Sequence, residues 1–321
     1  MLMAKEKTIF KQGKSYTVRD VVVEYWGSDA FRKLSSASQK DYYDCLMVIN
    51  DDLGDTSMKR LRASPSSVSL MQQCYNMWLK KGEYVKTGKL SIYRANKIAS
   101  IMSILINWSK KHGIIIENPM PLLDKIPNPP RTIMWEPEQV NQFLSTAYSE
   151  WKWRSIGLIV QMAYEWRQRV GDMRMLTWAA INFDKKRCDL VQSKRGAEVH
   201  LPISDTLMHV LKQQHETFGF QCLVTPQVYP SCGGYKPYSK EKLHSYVNAV
   251  LEAAELPSYL TAMDMRRTAI TEMVEAGVDI TQIKQVSGHT NINSLTPYIK
   301  HTYTGASEAL AKRNAFKAEK E

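Results

Sequence analysis

Apolar residues in the first third of the chain recur at helical spacing, broken by polar and glycine punctuation. In SASQKDYYDCLMVINDDLGD, Tyr42, Leu46 and Ile49 fall on one face at spacings of four and three. TVRDVVVEYWGS opens on Thr17, whose hydroxyl can accept from the free amides of a first turn, and closes near Gly27. SPSSVSLMQQCYNMWLKKG starts with Ser64 ahead of Pro65, whose missing N–H costs nothing in a first turn, and stops at Gly82. SIYRANKIASIMSILINWSKKHG is a long amphipathic run whose basic end and Gly113 suit a helix C-terminus. Residues 15–117 therefore read as a small all-α domain.

A proline cluster follows. NPMPLLDKIPNPP carries Pro119, Pro121, Pro127, Pro129 and Pro130, whose fixed φ and missing donors prevent a long helix. Residues 118–134 are expected to form a stiff, extended linker. Beyond it, EPEQVNQFLSTAY begins a helix near Pro137, and WRSIGLIVQMAYEW is apolar enough to be a buried one. RCDLVQS and EVHLPI flank KRGA and predict a hairpin with Gly196 in its turn. SKEKLHSYVNAVLEAAEL, RRTAITEMVEAG and DITQIKQVSG return to helical spacing, and the tail SEALAKRNAFKAEKE is helix-prone and polar. The pattern predicts a mainly α, two-domain protein whose second domain holds a small antiparallel sheet.

Composition narrows the function classes. The 321 residues suffice for two cores, and 44% hydrophobic with 23% charged residues is a globular balance. The start MLMAKEKTIFKQGK has no apolar stretch before its charges, and no run is long enough to span a membrane. Five cysteines without CxxC spacing argue against a disulfide framework or a zinc site and fit a reducing cytoplasm. The formal charge of +11 suits a polyanionic partner. Residues 1–130 carry most of it, with 20 Lys and Arg against 12 Asp and Glu.

Candidate chemistry lies in the second half, at Arg169, Lys194, Arg266, His289 and Tyr298. A guanidinium fork matches two non-bridging phosphate oxygens, and a tyrosine hydroxyl can attack a phosphorus so held. Each residue alone has a structural reading: a surface ion pair, a decorated hairpin, a helix stop after Gly288, or a packed ring. Their contexts speak together. RQRVGDMRMLTW, with Arg169, Asp172 and Trp178, resembles the first signature of the tyrosine recombinases, or phage integrases. QSKRGAEVHLPI resembles the hairpin on which that family carries its lysine, here Lys194. MDMRRTAITEMVEAGVDITQIKQVSGHTNINSLTPYI, with Arg266, His289 after Gly288 and Tyr298, resembles the second signature.

The resemblance spans residues 135–303 and implies a catalytic domain there. Residues 15–117 would then be an all-α, SAM-like core-binding domain ending at Asn118-Pro119, the two domains closing on double-stranded DNA. It implies site-specific recombination without metal, ATP or cofactor. Tyr298 would attack to give a 3′-phosphotyrosyl link, and Arg169, Arg266 and His289 would hold the phosphate. Lys194 would protonate the leaving 5′-oxygen, and Asp172 would orient an arginine. One position departs: Met263 stands where the family usually has histidine, which removes one proton acceptor.

Lys86, Lys89, Arg94 and Lys97 resemble the region that the family sets against DNA, where they would contact backbone phosphates. Residues 1–14 would be a basic tail, and residues 304–321 a segment that engages a neighbouring subunit in a homotetramer assembled on two attachment-type sites. Accessory bending or directionality proteins, and a place on the nucleoid of a bacterial host's cytoplasm, are implied in the same way. Two other readings stay open at this point: a DNA-binding regulator that kept the fold, and a topoisomerase with the same nucleophile.

Overall fold

The first four helices of the N-terminal part begin where capping side chains stand. Thr17 accepts from the Asp20 amide, and the Asp20 carboxylate accepts from the Thr17 amide and hydroxyl, which opens α1 (Val18–Trp26). Ser28 caps the short α2 (Asp29–Arg32), and Ser35 caps α3 (Ser36–Leu53). Ser64, with Pro65 in the first turn, opens α4 (Pro65–Leu79), which ends at Lys80. α5 (Ile92–Lys111) completes the set. The computed structural model describes residues 15–62, 64–80, 91–194, 196–230, 232–289, 291–298 and 303–318, so the expected stop at Gly82 lies outside it.

The apolar faces of α1, α3, α4 and α5 meet in one core containing Val21, Tyr25, Leu46, Ile49, Trp78, Ile98 and Leu105. Tyr42 is only partly buried beside it, and the Trp78 indole N–H donates to the Asp52 carboxylate at 2.9 Å. Much of the proline segment is fastened to this core. Gln72 on α4 donates to the Asp124 carbonyl and accepts from its amide, and the Ile126 amide donates to the Tyr75 hydroxyl. The Asn118 amide group bonds Ser103 and Asn107 on α5, while Met120 and Leu123 are buried. Polar side chains on α4 and α5 thus satisfy backbone groups that extended geometry leaves unpaired. The chain divides into its two units between Arg131 and Thr132.

In the second unit, α6 (Pro137–Ser149), α7 (Arg154–Glu165) and the short α8 (Val170–Met173) come first. α7 is buried from Ser155 through Ala163. The expected hairpin is present as β2 (Arg187–Val191) and β3 (Glu198–Pro202), and β1 (Ile181–Asn182) adds a third antiparallel strand in the order β1-β2-β3. Cys188 opposite Leu201 and Leu190 opposite Val199 occupy its buried face. Burial pushes the Cys188 thiol up to about 12, so it acts as a packing group.

α9 (Asp205–Phe218), capped by Ser204, buries Leu207, Leu211 and Phe218 over a stretch for which the sequence reading had no element. α10 (Lys240–Ala253), α11 (Met265–Glu275) and α12 (Ile280–Ser287) follow, then a 3-10 segment Ile292–Tyr298 and α13 (Tyr303–Ala318). α7 packs against α6, α8, α9, α10 and α11. A small separate cluster of Ile270, Ile283 and Leu295 joins α11, α12 and the 3-10 segment, with Tyr298 packed against it. The protein is therefore mainly α with one small antiparallel sheet, as the patterning predicts. Among the described residues no helix is long and apolar enough to cross a membrane.

Candidate active site

The end of α7 aims the first arginine. The Gln168 amide closes on the Ala163 carbonyl and the Arg167 amide on the Tyr164 carbonyl, with Arg167 left-handed at φ 55°. This turn leaves Arg169 extended at the start of α8. Its guanidinium donates to Gln192 Oε1 at 3.0 Å and lies 3.8 Å from the buried Asp172 carboxylate. The other Asp172 oxygen accepts from the Ser193 amide at 3.1 Å and hydroxyl at 2.5 Å. Asp172 therefore bridges the arginine and the hairpin loop. Trp178 is partly buried against the core, its indole N–H donating to the Phe218 carbonyl.

Lys194 follows Ser193 directly and is exposed. The loop that carries it is closed by the Gln192 amide on the Ala197 carbonyl and the Gly196 amide on the Gln192 carbonyl, with Gly196 at φ 64°. A glycine takes that conformation without steric cost.

The second arginine and the histidine meet at the C-terminal end of α12. Arg266 is 9% exposed and donates to the Ser287 carbonyl at 2.8 Å. The same guanidinium nitrogen lies 3.2 Å from His289 Nε2, and the Ser287 hydroxyl is 2.7 Å from His289 Nδ1. An arginine can only donate, so Nε2 accepts, and the ring proton on Nδ1 faces the Ser287 oxygen. Gly288 between them is left-handed at φ 67°, and a Cβ there would stand 2.4 Å from Gln192 Nε2. Only glycine lets this turn approach the hairpin so closely.

The Tyr298 ring centroid is 6.3 Å from that of His289, and the Arg267 guanidinium lies 5.4 Å from the Tyr298 ring centroid. Arg169, Arg266, His289 and Tyr298 are thus drawn to one side of the unit by α8, α11, the α12 turn and the 3-10 segment. Met263 departs from the group: it is 82% exposed in the turn before α11, where Thr261 and Asp264 form a capping box. Four residues of this site lay beyond the sequence reading: Gln168, Gln192, Arg267 and Ser287. Their only signal was adjacency, to Arg169, Lys194, Arg266 and His289 respectively.

In the N-terminal unit, Arg94 is exposed on the first turn of α5, while Lys97 pairs with Asp41 at 2.7 Å. That contact raises the Lys97 pKa. Lys86 and Lys89 lie outside the described residues. Charge is strongly segregated here. Residues 56–116 hold 11 Lys and Arg against the single acid Glu83, whereas residues 15–55 hold 4 against 8 Asp and Glu.

Residues 134–304 match the phage integrase family. The chain belongs to that family, the tyrosine recombinases. A putative integrase/recombinase of Haemophilus influenzae is 25% identical over 209 residues, which cover 62% of this chain and 52% of that protein. The chain thus spans about half the length of the curated relative it matches. The integrase fold is shared with solved structures. A Tn1549 transposon integrase in complex with circular intermediate DNA aligns over 93% of this chain and 99% of its own, at a TM-score of 0.71 and 15% identity. A lambda integrase dimer bound to a COC′ core site aligns over 89% and 77%, at 0.68 and 18%. A lambda integrase tetramer bound to a Holliday junction aligns over 90% and 78%, at 0.68 and 17%. The family match begins after the proline segment, while the likeness to integrase structures extends over both units.

Proposed function

We propose that this integrase cleaves and rejoins double-stranded DNA at specific sites through a 3′-phosphotyrosyl intermediate, inserting or excising a phage or other mobile element. One observation carries the proposal: Arg169, Arg266 and His289 converge with Tyr298 at the edge of a strongly basic protein. Both guanidinium groups would bind the non-bridging oxygens of the scissile phosphate, where negative charge grows in the transition state. The Tyr298 hydroxyl oxygen attacks phosphorus and its proton passes to His289 Nε2 as the phosphate takes up the Arg266 guanidinium. The P–O5′ bond breaks as Lys194 gives its ammonium proton to the leaving oxygen. The bond energy is kept in the tyrosyl phosphodiester, so rejoining is the same step reversed. Arg267 over the phenol ring favours the phenolate character that develops during attack.

Three other tyrosines of the second unit are held in the neutral form. Burial pushes Tyr148 and Tyr164 well above the ordinary range, the latter also by its bonds to the Glu272 carboxylate, and Tyr238 rises to about 12. The basic segment 56–116, with Arg94 on its exposed side, would hold DNA phosphates, with the net acidic segment 15–55 turned from them. A homotetramer on paired sites, with α13 reaching a neighbouring subunit, is the assembly this reading carries. The direct test is incubation with a pool of nicked duplexes in EDTA, followed by denaturation. Recovery of a few related sequences bound covalently supports the proposal, whereas adducts on every sequence indicate a topoisomerase. DNA binding without adducts indicates a regulator.

Lys194→Ala will slow cleavage by about 10²–10⁴, the usual worth of a positioned general acid. A duplex with sulfur at the bridging 5′ position will recover most of that loss, because a thiolate leaves without a proton. Equal slowing of both substrates would remove Lys194 from the acid role.

Met263→His will keep or raise the cleavage rate, since an 82% exposed side chain can be exchanged without repacking. A large fall in single-turnover rate would mean that the methionine contributes contacts to DNA that histidine cannot make.

A further inference from the structure

One buried side chain touches more of the site than any of the residues to which the resemblance assigns a role. Gln192 is fully buried at the end of β2. Its Oε1 accepts from Arg169 at 3.0 Å, and its Nε2 donates to Gln168 Oε1 at 2.6 Å and to the Ser287 carbonyl at 2.9 Å. That carbonyl also accepts from Arg266. Gln168 in turn donates to the Trp166 and Val286 carbonyls, closing a buried network between the turn after α7, the hairpin and the end of α12. Only an uncharged amide supplies one acceptor and two donors in these directions.

We infer that Gln192 is a positioning residue that sets the spacing of the two arginines on the scissile phosphate. This deepens the recombinase reading and rests on it. The amide holds Arg169 directly. It holds Arg266 through the shared Ser287 carbonyl, so the two guanidinium groups move together or not at all. The buried hydrogen bonds of Gln192 and Gln168 stiffen the elements they join, and the donors of a phosphate clamp act best when fixed before the charge forms. The side chain ends short of the surface and has no path to DNA itself.

The test uses Gln192→Met, which keeps length and bulk but removes the polar atoms, on one nicked duplex recovered from the adduct selection. On that phosphodiester, Met at 192 will slow single-turnover cleavage about 10²-fold, the cost of a clamp misplaced by about an ångström. The second substrate replaces one non-bridging oxygen of the scissile phosphate by methyl, so that less negative charge awaits the arginines. There the wild type and variant rates will converge to within a few-fold. A residue needed only for local packing slows both substrates by the same factor, and that result overturns the inference. Restoration of the variant by a 5′-bridging sulfur would place its effect on Lys194 and also overturn it.

Gln192→Glu serves as a second variant should the methionine fail to fold. It keeps an acceptor for Arg169 but turns a carboxylate towards the Ser287 carbonyl, so its rate will fall between the other two, with the same convergence on the methyl substrate. If wild type forms no adduct with any duplex, the recombinase reading itself falls and takes this inference with it. Wild type adducts with an unimpaired methionine variant sink the inference alone.

Discussion

Tyr298→Phe will bind duplex DNA like the parent and form no covalent complex with it. The substitution removes one oxygen and leaves the ring, which packs against the cluster of Ile270, Ile283 and Leu295 and lies beneath Arg267. The fold therefore has no reason to change, while the attacking atom is gone. Two other tyrosines of this unit have hydroxyls already committed to acceptors. The Tyr164 hydroxyl donates to both oxygens of Glu272, at 2.9 and 2.8 Å, and the Tyr148 hydroxyl to Gln161 Oε1 at 2.5 Å. Burial holds both in the neutral form, and for Tyr164 the Glu272 carboxylate adds to it. Gel shift and denaturing electrophoresis on the same samples check the two halves of the prediction. Persistent adducts would assign the nucleophile to another residue.

Gly288→Ala will be the most damaging substitution of a single small residue in the site. A left-handed alanine costs about 1–2 kcal/mol. The added carbon would also stand 2.4 Å from Gln192 Nε2 and 2.8 Å from its Cδ, so the amide must be displaced from three hydrogen bonds. Leaving buried polar groups unpaired costs about 1–3 kcal/mol each, which brings the expected loss to roughly 3 kcal/mol or more. Melting of the purified protein will fall by roughly 6–12 °C if the unit unfolds cooperatively. Cleavage will drop further than stability explains, because both arginines are tied to the displaced group. An unchanged melting temperature would show that the turn can relax away from the hairpin, and the tight approach would then have no energetic meaning.

Much of this arrangement was legible in the sequence because the signals are local. Thr17, Ser64 and Pro65 mark helix starts by their own chemistry, and the alternation in RCDLV and EVHLP, with Gly196 between, marks the hairpin. The residues with the most chemistry sit in turns whose neighbours repeat a family pattern. The connections between those turns were not legible. Gln192 and Ser287 are 95 residues apart in sequence, and an amide donating to a carbonyl leaves no trace in residue type. The proline segment holds the 3-10 turn Met120–Leu122 and otherwise no helix or strand, as its composition requires. Its attachment was not legible: Gln72 and Tyr75 bond its backbone groups, and the Asn118 side chain donates to the side chains of Ser103 and Asn107. α9 was passed over although Leu207, Leu211 and Phe218 follow helical spacing after a serine cap. β1 is two residues long and is defined by its partner alone.

Met263 alters the balance of roles more than the fold. With that side chain 82% exposed, the proposed mechanism assigns proton acceptance to His289, whose ring lies beside Tyr298 and contacts the Ser287 hydroxyl. On that mechanism the acid–base work would fall to one histidine and one lysine, carried by the α12 turn and the hairpin. Gln192 joins those two elements, so on the proposed mechanism the sheet and the α12 turn would hold the clamp, and the short cluster under Leu295 would present Tyr298 to it.

The measurement that bears most directly on the whole account is identification of the residue joined to DNA. The protein is incubated in EDTA with the nicked duplex pool, the denatured complex is digested with protease and nuclease, and the nucleotide-bearing peptide is sequenced by mass spectrometry. The account predicts one modified residue, Tyr298, carrying a 3′-linked nucleotide. Attachment at any other residue, or linkage through a 5′-phosphate, would contradict it.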